Sequence, residues 1–307
     1  MQRSRALRWF GIVLGLAVFG FVLRQIHAQG QGLDFSVARL SWPALGLSIL
    51  FYFAAQALFA LSWHRLLSDR GESGELGRDV ARWCVSIAGK YLPGKVWHAV
   101  ARVGLYHGAE RGRKVAPAFV RETCLSLSAA MTVVAVQGFF NGSSLGRLQL
   151  GFAIGAVLLM LLSVPAIGRI ALAWLERWTP LRLAVPDGDV REMAVVWLMQ
   201  VAGYVLFGLG LLALGKGLAI EQAGMAWPTI AALSFAGLAG IAAFFVPAGI
   251  GVREAALAWY LAPIVGPAPA ALLALASRLW ISIGEAVLVG GGLLALRKRG
   301  DGVAGDA

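Results

Sequence analysis

Long apolar runs alternate along the chain with short polar stretches that carry most of its charge. The runs fall at residues 9–23, 42–61, 115–139, 148–167, 193–214, 228–245, 252–265 and 269–296. A run of about 20 apolar residues is enough to cross a bilayer. In hydrocarbon only helices and closed barrels satisfy their own backbone, and these runs are far too long for barrel strands. The pattern therefore predicts an all-α, polytopic integral membrane helix bundle. Residues 1–299 form its single domain, and the Gly, Ala and Asp tail at 300–307 is expected to be disordered. The first run, preceded by Arg3, Arg5 and Arg8, also has the look of a secretory signal. No small-x-small cleavage site follows it, so an uncleaved anchor is expected.

Two stretches interrupt the oily pattern. Residues 76–107 contain Leu92-Pro93-Gly94-Lys95, and residues 228–265 contain Val246-Pro247-Ala248-Gly249-Ile250-Gly251. Proline removes a helical hydrogen bond and glycine permits a sharp turn, so both stretches predict re-entrant or broken-helix hairpins. Their tips must be buried in protein or face a wet cavity, because lipid cannot satisfy exposed backbone. The second stretch allows a different reading, in which 228–245 crosses fully and 252–265 is a short crossing. The two halves echo each other: Pro93 is followed 28 residues on by Arg121, beside Glu122, and Pro247 is followed 31 residues on by Arg278, with Glu285 one heptad further. The hairpins open from opposite sides, the inverted-repeat plan of many secondary transporters.

Composition supports this reading: 59% of residues are hydrophobic, only 14% are charged, and the mean hydropathy is +0.74. The net charge of +11 reports orientation. With the N-terminus inside, eighteen basic residues, Arg102 among them, fall in cytoplasmic segments and four fall outside. Both termini are therefore expected in the cytoplasm of a cell-membrane protein. The basic excess serves topology and anionic lipid, and no soluble basic domain is available for nucleic acid.

Five cations, Lys90, Lys95, Arg121, Arg253 and Arg278, and three carboxylates, Glu122, Glu254 and Glu285, are left inside the apolar pattern. A charge facing lipid at a helix centre costs about 3 kcal/mol, so these groups must face one another or water. Arg278, Ser282 and Glu285 share one helix face at i, i+4 and i+7. Each group also has a plainer role. Arg121 could snorkel to the headgroups, Lys90 and Lys95 could anchor a shallow helix, and Arg278 with Glu285, or Arg253 with Glu254, could be structural pairs. Gly151-x-x-x-Gly155 suits close helix packing, and Gly208-Leu-Gly210 matches a dinucleotide fingerprint by spelling alone. Two cysteines and four histidines without ligand spacing predict no disulfide framework, metal or other cofactor. No nucleophile with a base is found either, so an enzyme is not expected.

The inner set keeps two positive charges in excess, beside two turns that expose backbone. Helix N-termini, Arg and Lys are the groups that hold phosphate, which suggests an anionic lipid headgroup passing through while its tails stay in the bilayer. At these same residues, "GKYLPGKVWHAVAR" with "RETCLSL", and later "FFVPAGIGVREAAL", resemble the signature stretches of the lysylphosphatidylglycerol synthase transmembrane region, also called the flippase-like family. The likeness runs from the second span to the last and rests on Pro93, Gly94, Lys95, Arg102, Glu122, Pro247, Gly249, Gly251 and Glu254. Ala248 departs from the family's Pro-Gly-Gly pattern. The resemblance implies a bundle with two re-entrant elements that moves phospholipids, or polyprenyl- or glycolipid-type phosphates, between leaflets. It implies that these matched residues belong to the substrate site, to which the reading of the inner charges adds Lys90, Arg121, Arg253, Arg278, Ser282 and Glu285. The family's lysyl-transferring members carry a soluble catalytic domain after the membrane part, and lysine transfer is not expected here. A membrane glycosyltransferase, or an accessory partner of an envelope-lipid enzyme, is the alternative expectation.

Overall fold

The computed structural model describes residues 40–69, 71, 74–91, 96–106, 109–141, 146–164, 166–167, 188–220, 224–243, 246 and 249–300. The expected first span, the basic stretch at 168–187 and the tail after Gly300 lie outside these residues. The elements are α1 (Trp42–Ser68), α2 (Leu76–Ser86) with a 3-10 turn (Ile87–Tyr91), α3 (Val96–Gly104), α4 (Ala109–Asn141), α5 (Gly146–Ser163), α6 (Val190–Gly217), α7 (Ala226–Ala242), α8 (Val252–Val265) and α9 (Pro267–Gly300). Among the described residues there is no strand, and the fold is an all-α membrane bundle. Four helices contain segments long and apolar enough to cross a membrane: Trp42–Ser68, Val115–Gly138, Val190–Gly217 and Pro267–Lys298.

α1 and α6 form the central antiparallel pair. At one end the Ser41 N–H donates to the Gly217 carbonyl at 3.1 Å, and at the other Arg65 and Glu192 pair at 3.0 Å. The main apolar core joins Tyr52 of α1, Leu211 of α6, Leu233 of α7, Leu257 of α8 and Leu273 of α9. The Gly208-x-Gly210 stretch serves this packing: a Cβ at Gly208 would stand 2.3 Å from the Ile230 carbonyl oxygen of α7. In the small-residue motif of α5, Gly155 meets the Met131 sulfur of α4, whereas Gly151 faces open space. Outward faces are apolar. On α9, Leu279 and Ile283 are 65% exposed while Ile281 and Glu285 are 3% exposed. The polar groups thus sit inside and the oily ones outside, the arrangement a lipid solvent selects.

The first broken hairpin is α2, the 3-10 turn and α3. α2 has 11 residues and α3 has nine, so at ~1.5 Å per residue neither arm crosses a hydrocarbon core of about 30 Å. The arms touch through backbone at Gly89, where a Cβ would lie 2.7 Å from the Trp97 carbonyl oxygen. The second hairpin is α7 and α8, of 17 and 14 residues, about 25 and 21 Å at the same rise. α7 folds back against α8. The chain turns there through Gly249 and Gly251, whose φ values of +66° and +85° disfavour any residue with a Cβ.

Candidate functional site

α9 passes between the two hairpins and offers one residue to each. Its seven-residue offset makes this possible, since Arg278 and Glu285 lie two turns apart on one face. Glu285 takes the first hairpin: its carboxylate pairs with Lys90, and the Tyr91 hydroxyl donates to its other oxygen at 2.5 Å. Arg278 takes the second hairpin, pairing with Glu254 at 3.5 Å. The Arg278 guanidinium also stands 5.9 Å from the centre of the Tyr91 ring, with Ser282 beside Tyr91 on the same face. Glu254 closes the N-terminus of α8 as well, accepting the Gly251 N–H at 2.5 Å. An acidic group there is favoured by the helix dipole and by the otherwise unmet N–H. Two hairpins and one long helix therefore share a single charged seam.

A second buried pair lies between the first hairpin and α4. Arg102 Nη1 donates to Glu122 at 3.0 Å, its Nε donates to the Ser86 hydroxyl at 2.5 Å, and its Nη2 lies 3.2 Å from His98 Nε2. The guanidinium stands 4.7 Å from the Trp63 ring centre and 5.5 Å from that of Trp83. Trp83 in turn donates its indole N–H to the other Glu122 oxygen at 3.2 Å. Arg102 is 1% exposed. The expectation that it is a cytoplasmic loop cation is thus corrected: α3 tucks back under α4, and its last turn carries Arg102 inward.

Arg121 separates from this company. Successive helix positions are about 100° apart, so where Glu122 faces Arg102, Arg121 faces Asp69 at 3.5 Å and the Asp189 carbonyl at 3.4 Å. It links the end of α1 to the start of α6. Pro93, Gly94, Lys95 and Pro247 lie outside the described residues. Gly249 and Gly251 occupy the turn before α8.

A cavity of about 220 Å³ opens between α1, α2, α4 and α6, walled by Trp83, Phe119, Glu122, Gln200 and Tyr204 among others. Ile241 of the wall follows Gly240, where a Cβ would lie 3.6 Å from the Arg253 Cβ, so α7 brings this cavity next to the charged seam. Arg253 differs from every other inner cation described. It is partly buried, and among the described residues it makes no hydrogen bond or salt bridge; Glu285, Arg278 and Glu254 act on it only through space. Within the seam, Lys90, Arg253 and Arg278 against Glu254 and Glu285 leave one positive charge in excess.

Sequence reasoning missed Asp79, Gln200 and Tyr204. Asp79 is wholly buried, paired with His64 at 2.9 Å, and it accepts from the Tyr106 hydroxyl at 3.1 Å and the Gly74 N–H at 2.9 Å. A lone acid flanked by Arg78 and Arg82 in a short helix was the available signal. Among the described residues no group of three His, Cys, Asp or Glu could hold a metal, and Cys84 and Cys124 are free thiols. Comparison with protein-family models and with characterised proteins returns no match.

Proposed function

We propose that this chain is a lipid translocase of flippase-like type, which moves an anionic phospholipid or a polyprenyl- or glycolipid-type phosphate between the leaflets of a cell membrane. The reading places both termini in the cytoplasm and needs no cofactor or group-transfer step. The observation that carries it is Arg253, a cation that meets no carboxylate among the described residues, in the charged seam that the two broken hairpins share with α9, packed against Gly240 next to the cavity residue Ile241, in a bundle whose outer face is apolar.

The physical problem of leaflet exchange is the headgroup. Its charge is costly in hydrocarbon, whereas the tails are at home there throughout. A fixed guanidinium replaces the water that a phosphate must shed, and it can do so bidentately. Arg278 and Lys90 are further donors of the same seam, already held by Glu254 and Glu285. An arriving phosphate would compete with those carboxylates, and the loosened pairs would let either hairpin move against α9. The resemblance of the two hairpin motifs to the flippase-like family supports the same reading.

The test is exchange of fluorescent lipids in liposomes containing the purified protein, read with a membrane-impermeant quencher. Exchange that favours anionic headgroups and falls at least tenfold in Arg253→Gln is the expected outcome. Well-folded protein that exchanges no lipid sinks the proposal and turns attention to a partner enzyme.

A further inference from the structure

The geometry points to a hydroxyl-rich headgroup, a sugar or cyclitol, as the occupant of the cavity beside Arg253, with the attached phosphate at Arg253 itself. This inference rests on the lipid reading above and specifies the class of lipid. Four observations carry it.

The first is Gln200. Its Nε2 donates to Ser62 Oγ at 2.7 Å, and Ser62 donates its own proton to the Phe59 carbonyl at 2.8 Å. With its own proton engaged there, Ser62 accepts the Gln200 amide proton. The Gln200 Oε1 is left buried with no donor, on a residue of the cavity wall. A buried acceptor of this kind calls for an O–H or N–H.

The second is the hydroxyl pair of Ser126 and Tyr204, 2.8 Å apart in the same wall. One of their two protons makes the bond between them, and the other remains to be donated. The third is the balance of charge. Arg102 and Glu122 neutralise each other inside the cavity, so a bare phosphate gains nothing there and meets the Gln200 carbonyl and the Glu122 carboxylate. An ammonium headgroup meets Arg102, with Arg253 close by. The fourth is the pairing of these polar groups with the rings of Phe59, Trp83 and Phe119. A sugar ring has apolar C–H faces for the aromatics and hydroxyls that both donate and accept. About 220 Å³ has room for several waters or one ring, and lies below the usual ~300 Å³ lower bound of drug-sized pockets. It cannot take a pair of acyl chains.

Binding to the full chain in detergent micelles tests this, with intrinsic tryptophan fluorescence as the signal, since Trp83 lies in the wall. The probes are phosphatidylinositol, phosphatidate with the same acyl chains, and soluble inositol 1-phosphate. Phosphatidylinositol is expected to bind at least tenfold more tightly than phosphatidate. Gln200→Leu and Tyr204→Phe are each expected to lose most of that preference while leaving phosphatidate binding unchanged. Equal affinities for the two lipids overturn the hydroxyl-rich occupant, a result that also describes a cavity filled by water alone, and leave the anionic-headgroup reading standing. Soluble inositol phosphate bound as tightly as the lipid overturns the lipid source. Strong lipid preference without leaflet exchange in vesicles sinks translocation and leaves the cavity assignment intact.

Discussion

The two hairpins treat their arginines in opposite ways. In the first, Arg102 is enclosed by Trp63, Trp83 and Ser86 and fully matched by Glu122. In the second, Arg253 stands partly buried with no carboxylate in contact among the described residues, although Glu254 is its neighbour in sequence and turns away to Gly251 and Arg278. A matched and caged cation holds helices together; an unmatched one beside a cavity is available to something else. The contrast separates the residues on which folding depends from those on which binding depends.

The comparison breaks first at Arg102. Removing one partner of a buried pair strands the other charge, which costs about 3–5 kcal/mol. Arg102→Met is therefore expected to lower the thermal midpoint in detergent by the largest margin of any change considered. Adding Glu122→Gln, which keeps an acceptor for the Trp83 N–H, is expected to recover most of the loss. If the single change proves as stable as the parent, the cage is not structural. Arg253→Gln should behave inversely, with a midpoint little altered and anionic-lipid exchange down at least tenfold, which corresponds to about 1.4 kcal/mol.

Spacing within one helix was legible in the sequence. The face of Arg278, Ser282 and Glu285 follows from 3.6 residues per turn, and the break before α8 follows from Gly249 and Gly251, which take the left-handed backbone their neighbours could not. Partners across helices were not legible. Arg102 and Glu122 lie 20 residues apart in sequence, on helices whose relative tilt no local pattern encodes. Counting Arg102 as a loop cation followed from its place two residues before Gly104, where α3 ends. Gln200 looks like an ordinary polar residue of a long apolar helix. Only the Ser62 hydrogen bond, which uses its amide nitrogen, reveals that its oxygen is left over.

The charged seam lies between these extremes. Glu254→Gln and Arg278→Gln, alone and together, form a double-mutant cycle whose expected coupling is about 1 kcal/mol, since a 3.5 Å pair in a partly wet seam is weaker than the caged one. A coupling near zero in stability, together with a coupling in lipid exchange, would assign this pair to transport and not to the fold.

The smallest effect is expected at Arg65 and Glu192. Their geometry is the best of any ion pair described, with Nε and Nη2 each donating to a separate carboxylate oxygen at 3.0 Å. Their side chains are nevertheless 45% and 31% exposed. Water and salt screen such a pair, and holding two long side chains in one arrangement costs rotamer freedom, so its net worth is about 0–1 kcal/mol. Arg65→Gln is expected to shift the unfolding midpoint only slightly, with the shift vanishing in high salt. A loss as large as that of Arg102→Met would show that the ends of α1 and α6 are drier than their exposure indicates. Burial would then no longer suffice to tell a structural arginine from a superficial one in this bundle.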